Sequence, residues 1–124
     1  GSEWYVEHPL VPLSQIKYLI NLDMIADNNP LQYCEVSKEG MKGYSVFEQV
    51  NAEKGYFKAM DRHEIDGNSD HWPFALKNVP CIFLMNEGGD AYKYYHTVYD
   101  TYKNTIFVNY EPIFNLIKDF VEKY

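Results

Sequence analysis

Three short stretches carry side chains of types and spacings that could do chemistry. In Asn21-Leu22-Asp23-Met24 a carboxylate interrupts an otherwise apolar run. An unpaired carboxylate buried in such a run is strongly unfavourable, so Asp23 calls for a cation, a hydrogen-bond donor or a metal ion. The alternative is that it caps a neighbouring helix or turn where the run ends. The second stretch, Tyr94 to Thr101, sets His96 among tyrosines with Asp100 four residues later. An imidazole in such a loop can ligate zinc through one nitrogen while an acceptor orients the other, or it can simply be packed and hydrogen-bonded among the rings. The third, Ser69-Asp70-His71-Trp72-Pro73-Phe74, holds the residue types of a serine triad. Triad members meet in space from distant positions, so three consecutive residues are not one. A helix start accounts for them better, with Ser69 or Asp70 accepting backbone N–H groups and Pro73 tolerated in the first turn. His8 and His63 fall in no pattern and read as surface residues.

The elements that must position these groups follow from the hydrophobic periods. The nearly continuous apolar run Ile16 to Ile25 predicts a strand covered on both faces, with Asp23 near its carboxyl end. Asp27 to Pro30 is a turn by composition, and Leu31 to Val36 predicts a shorter, less buried strand. Ser45 and Glu48 have the form of a capping box opening a short helix through Val46, Phe47 and Val50, which Gly55 ends. Phe57 to Met60 predicts a strand, Asp61 to Asp70 a loop, and Cys81 to Met85 a second buried strand. The aperiodic stretch from Asn86 to Asn104 is a long loop, which in a compact domain is usually functional. A last helix starts at Asn109 as cap and carries Ile113, Phe114, Leu116, Ile117, Phe120, Val121 and Tyr124 on one broad face. The fold class is therefore α/β, a mostly parallel sheet flanked by helices. In such sheets ligands bind beyond the carboxyl ends of the strands, where Asp23 and the loop after Met85 converge.

Composition sets the outer bounds. The 124 residues are 46% hydrophobic and 17% aromatic, the balance of one folded domain with a tyrosine-rich core. A net charge of -7 gives no basic footprint for a phosphate backbone, so nucleic acid is not an expected partner. No apolar run approaches the roughly 20 residues that span a bilayer. Cys34 and Cys81 lack the close spacing of a zinc or redox motif, and a disulfide and two buried thiols both remain open. Gly1-Ser2 reads either as native or as a scar of tag cleavage.

The motifs Asn21 to Met24 (NLDM), Ser69 to Phe74 (SDHWPF) followed by Asn78 to Leu84 (NVPCIFL), and Tyr95 to Thr101 (YHTVYDT), in that order and with a final helix, resemble the C-terminal half of the di-zinc aminopeptidase family. That family includes bacterial leucyl aminopeptidases and, more distantly, glutamate carboxypeptidases and glutaminyl cyclases. The resemblance implies a partial zinc-peptidase-like α/β/α sandwich over residues 1–124. It matches Asp23 to a carboxylate ligand of one zinc ion and His96 to an imidazole ligand of the other. Tyr95 matches a tyrosine that stabilises the developing oxyanion, Met24 falls at the substrate pocket, and Asp70, His71 and Asp100 are left as supporting or structural residues. The family's upstream histidine-aspartate motif, bridging aspartate and paired glutamates have no counterpart here, and Gly1 to Pro9 resembles the stretch that follows the glutamate pair.

The resemblance therefore implies the C-terminal portion of a zinc-dependent hydrolase that removes amino-terminal residues from peptides. A single chain with one matched ligand per ion and no matched base is expected to bind zinc weakly and to be inactive alone. A glutaminyl cyclase-like acyltransferase is the same-fold alternative, and a non-catalytic binding or assembly module is the alternative from another class. A secreted or periplasmic location is expected from the family, as is self-association through surface left bare by the missing half.

Overall fold

The computed structural model describes residues 1–86, 90 and 92–124. Among the described residues four strands, β1 (Leu19–Leu22), β2 (Leu31–Val36), β3 (Ala59–Glu64) and β4 (Cys81–Met85), form one sheet in the order β1-β4-β2-β3. β1 runs parallel to β4 and β3 parallel to β2, while β4 and β2 are antiparallel. The sheet is thus mostly parallel, with one antiparallel joint at its centre.

Side chains alternate across a strand, so each strand feeds two layers. Cys34 and Val36 of β2 and Ile82 and Leu84 of β4 share one core with Tyr44, Phe47 and Val50 of α2 (Met41–Lys54). Ile113, Leu116 and Phe120 of the last helix, Tyr110–Lys123, complete that core, and Phe47 stacks on Phe120 at 3.9 Å between centroids. The opposite face is covered by α1 (Ser2–Glu7) and α3 (Trp72–Leu76), through Val6, Phe74 and Val79 packed near Leu19. With α4 as the last helix, two helices lie on each face, the arrangement expected of an α/β sheet.

Several local expectations are corrected by edge effects. β1 is shorter than the Ile16–Ile25 run and lies at the sheet edge, where its residues are only half-buried or exposed instead of covered on both faces. β2, expected to be the less buried strand, is central, and Gln32, Cys34, Glu35 and Val36 are all buried. Its two polar residues masked that position. β3 begins later than Phe57 and continues through Asp61–Glu64, read from sequence as loop, because an edge strand open to solvent tolerates charges on both faces.

The helix ends differ too. α2 starts at Met41, so Ser45 lies inside it and donates back to the Met41 carbonyl (3.2 Å) instead of capping. Gly55 does end it, in the left-handed conformation at φ 70°. Asn109 sits at the N-cap of α4 but its side chain donates to the Asn29 carbonyl (2.8 Å), tying the helix start to the segment after β1. The apolar face of α4 is narrower than its sequence suggests, since Phe114 and Val121 are exposed. Cys34 and Cys81 are buried free thiols, and burial pushes the Cys34 thiol up to about 12. Among the described residues no helix is long and apolar enough to cross a membrane.

Candidate functional site

The carboxyl ends of the parallel pair β1 and β4 lie side by side, and the chain segments leaving them stay together. The Asp23 N–H donates to the Leu84 carbonyl (3.2 Å) and the Asn86 N–H to the Met24 carbonyl (3.4 Å), so the ladder is continued one step past β1. Farther on, Asn28 and Asp90 exchange two hydrogen bonds, at 2.7 and 3.0 Å. The segment after β1 and the loop after β4 therefore converge as expected. Residues 87–89 and 91 of the long Asn86–Asn104 stretch lie outside the described residues.

A cleft of about 280 Å³ opens at this place. Met24, Ile25 and Ala26 form one wall, and Tyr92, Tyr95 and Asp100 form the other. Tyr95 stacks with two rings, Tyr92 at 5.4 Å and His96 at 3.9 Å between centroids. Met24 and His96 both have left-handed backbones, at φ 52° and 56°. Such conformations are uncommon for residues of this kind and cluster at functional sites, where the surroundings hold them in place. Three of the sequence-chosen residues, Met24, Tyr95 and Asp100, thus share one cleft, with Asp23 and His96 as chain neighbours of its walls.

Asp23 itself is exposed just beyond β1, so the burial penalty argued from its apolar neighbours does not apply. Its Oδ2 is approached by the Ser69 hydroxyl at 3.5 Å. Asp70 does not join the cleft; it accepts from the Ser2 hydroxyl (2.7 Å) beside a separate depression of about 510 Å³. Neither Ser69 nor Asp70 caps α3 with its side chain. His71 occupies the N-cap position, and the Ser69 carbonyl accepts from the Trp72 N–H (3.1 Å).

His71 is the most deeply placed of these residues, at 0% exposure, and it leads to a group that sequence reasoning missed. Asn21 of β1, Phe83 of β4 and Glu35 of β2 lie in one row across the sheet. The His71 ring stacks on Phe83, 4.7 Å between centroids and 13° from parallel, and reaches both of its neighbours in the row. Its Nε2 meets Glu35 Oε2 at 3.2 Å, and its Nδ1 meets the Asn21 amide at 3.3 Å. Glu35, at 1% exposure, also accepts from the Tyr33 hydroxyl (3.0 Å) and the Asp66 N–H (2.9 Å). Burial holds the His71 pKa below the usual histidine range, against the opposing pull of the Glu35 charge and hydrogen bond. The signal that could have found Glu35 is the one that drew attention to Asp23, an acid between apolar residues of a strand.

A zinc site takes three or four protein ligands. Among the described residues no group of three His, Cys, Asp or Glu side chains could hold an ion, so these residues do not by themselves make a complete site.

The sequence matches the model of peptidase family M28 over residues 1–120, and the chain belongs to that family. No curated protein matches it. Its fold is similar to that of BSAP, a zinc aminopeptidase from Bacillus subtilis, with a TM-score of 0.78 and 20% identity over 99% of this chain and 32% of that one. It is also similar to the Legionella pneumophila LapA aminopeptidase, with a TM-score of 0.72 and 19% identity over 97% of this chain and 34% of the other. A glutaminyl cyclase from Porphyromonas gingivalis gives a TM-score of 0.73 and 22% identity over 100% and 48%. The chain thus spans from about a third to about half of the length of these structures.

Proposed function

We propose that this chain supplies part of the active site of a zinc-dependent aminopeptidase-like hydrolase acting on the amino-terminal residues of peptides. In this reading Asp23 and His96 each give one ligand to a metal centre completed by polypeptide outside the chain. Tyr95 donates to the oxyanion that develops on the scissile carbonyl, and Met24 forms part of the substrate-cleft wall. The observation that carries the reading is the convergence of Met24, Tyr95 and Asp100 on one cleft at the carboxyl ends of β1 and β4, beside Asp23. These residues come from two separate segments of the sequence, and family membership gives the cleft its chemical context.

The test is a calorimetric zinc titration of the chain and of an Asp23→Ala, His96→Ala double variant, with an aminoacyl chromogenic substrate assayed in parallel. The expected result is neither tight binding nor turnover by this chain alone. Tight zinc binding that disappears in the double variant would overturn the incomplete-site reading. Sedimentation of the same samples reads the expected self-association, which a monodisperse monomer at high concentration refutes.

The similarity to a glutaminyl cyclase supports a second reading, intramolecular acyl transfer at the same cleft. The sequence preceding this chain in its gene separates both from a non-catalytic module. A histidine-aspartate motif, a bridging aspartate and paired glutamates there support an enzyme; their absence supports the module.

A further inference from the structure

The row Asn21, Phe83, Glu35 does more than join strands. The Glu35 carboxylate only accepts, and with His71 Nε2 at 3.2 Å the ring proton sits on that nitrogen. Nδ1 is then left to accept from the Asn21 amide at 3.3 Å. The second amide hydrogen of Asn21 goes to Ser69 Oγ at 2.9 Å. With that lone pair used, the Ser69 hydroxyl hydrogen is available to Asp23 Oδ2 at 3.5 Å, a long contact that biases the carboxylate more than it locks it. Each donor and acceptor along the series is set by its neighbour, beginning from the buried charge on Glu35. The backbone end of Asp23 is fixed independently, by the bond from its N–H to the Leu84 carbonyl, so side-chain rotation is the freedom left to control.

We propose that Glu35 and His71 are positioning residues which, through Asn21 and Ser69, orient the Asp23 carboxylate beside the cleft. His71 suits this role because stacking on Phe83 holds its plane and two opposed bonds hold its rotation. An imidazole fixed in one tautomer by a carboxylate is a general device for orienting a functional group beyond it. The inference gives Asp23 a purpose only within the function proposed above, but its geometry is tested without metal or substrate.

The experiment is NMR on the isotopically labelled chain. Ring 15N shifts read the His71 tautomer, and the Asp23 side-chain 13C shift and χ1 couplings read carboxylate orientation. The wild type is expected to show His71 protonated on Nε2. Ser69→Ala should change the Asp23 couplings and leave the His71 signature intact, and Ser69→Thr, which keeps the hydroxyl, should restore them. His71→Phe should change the Asp23 couplings in the same direction; if that variant does not fold, Asn21→Ala interrupts the series at a half-buried position instead. A proton on Nδ1, or Asp23 couplings indifferent to Ser69→Ala, overturns the proposal. So does a response to Ser69→Ala that neither His71→Phe nor Asn21→Ala reproduces, since control would then end at Ser69. Tight zinc binding that is lost in the Asp23→Ala, His96→Ala variant, with these couplings intact, would fell the functional reading alone.

Discussion

The Glu35–His71 pair allows a double-mutant cycle whose outcome follows from burial. His71→Phe keeps the stacking surface on Phe83 but removes the Nε2 donor, leaving a carboxylate at 1% exposure with two donors in place of three. Hydrogen bonds to charged groups contribute roughly 1.5–3 kcal/mol, so the loss should be about 2–3 kcal/mol. Glu35→Leu strands the His71 N–H at 0% exposure, worth about 1–3 kcal/mol. The Asp66 N–H lies on an exposed residue and the Tyr33 ring is half-buried, so water can serve both donors at small cost. In the double variant neither a buried charge nor a buried ring N–H remains, and apolar replacement of a buried polar pair is often close to neutral. The singles should therefore sum to about 3–6 kcal/mol and the double variant lose only about 1, a coupling of at least about 2 kcal/mol, toward the upper end of measured values.

Urea unfolding followed by far-ultraviolet circular dichroism gives the four stabilities, with an unchanged urea slope confirming that the denatured state is the same throughout. Domains of this kind hold roughly 5–15 kcal/mol in total, so each single variant should be visibly weakened and the double variant visibly recovered. A coupling below about 0.5 kcal/mol, the additivity expected of independent sites, refutes the account of the pair as one buried unit.

Two further outcomes follow from the same structure. Because burial depresses the His71 pKa below 6.5, the unfolded chain takes up a proton that the folded chain does not, and stability falls as pH drops below 6.5 toward the folded value. The slope from this one group is at most about 1.4 kcal/mol per pH unit, so the difference between wild type and His71→Phe should be level near pH 8 and fall as pH drops below 6.5; a difference that stays flat down to pH 5 contradicts it. Gly43 in α2 lies against the Tyr18 ring so closely that an added Cβ would overlap it, and the Tyr18 hydroxyl is tied to the Gly40 carbonyl at 2.9 Å. Helix propensity favours Gly43→Ala by at most about 1 kcal/mol, whereas overpacking costs about 1–3, so the variant should melt lower, and a raised melting temperature would show that the ring yields freely.

What the sequence made legible depended on whether a residue's surroundings could be inferred from its chain neighbours. β4 was readable because all five of its residues are apolar and four are buried, and α4 because its inward residues recur at helical spacing. β3 was not, since Asp61–Glu64 lies on an open edge where strand and loop have the same composition. The rule that ligands meet at strand carboxyl ends placed Asp23 and the loop after Met85 together, and the structure sets Met24, Tyr95 and Asp100 around one cleft there. Asp23 was singled out by a burial argument that its exposure removes, so its proposed role rests on the family resemblance, the neighbouring cleft and the Ser69 contact, not on desolvation.

Glu35 shows the converse case. It is the buried acid that the same argument should have found, and its partners come from the segment before α3, the stretch after β3 and its own strand. Local sequence cannot pair residues 35 and 71, because the pairing is created by the antiparallel joint that puts Glu35 opposite Phe83 and by the parallel joint that puts Asn21 there too. Those two registers set Asn21 and Glu35 on either side of Phe83, and one imidazole laid over Phe83 can touch both. A slip of one residue in either joint would turn Asn21 or Glu35 to the face covered by α2 and α4, leaving His71 one partner short. The register of a mixed sheet is therefore what converts three unremarkable polar residues into a single polar unit behind the cleft. That unit, more than any one motif, ties the strand order of this fold to the orientation of Asp23.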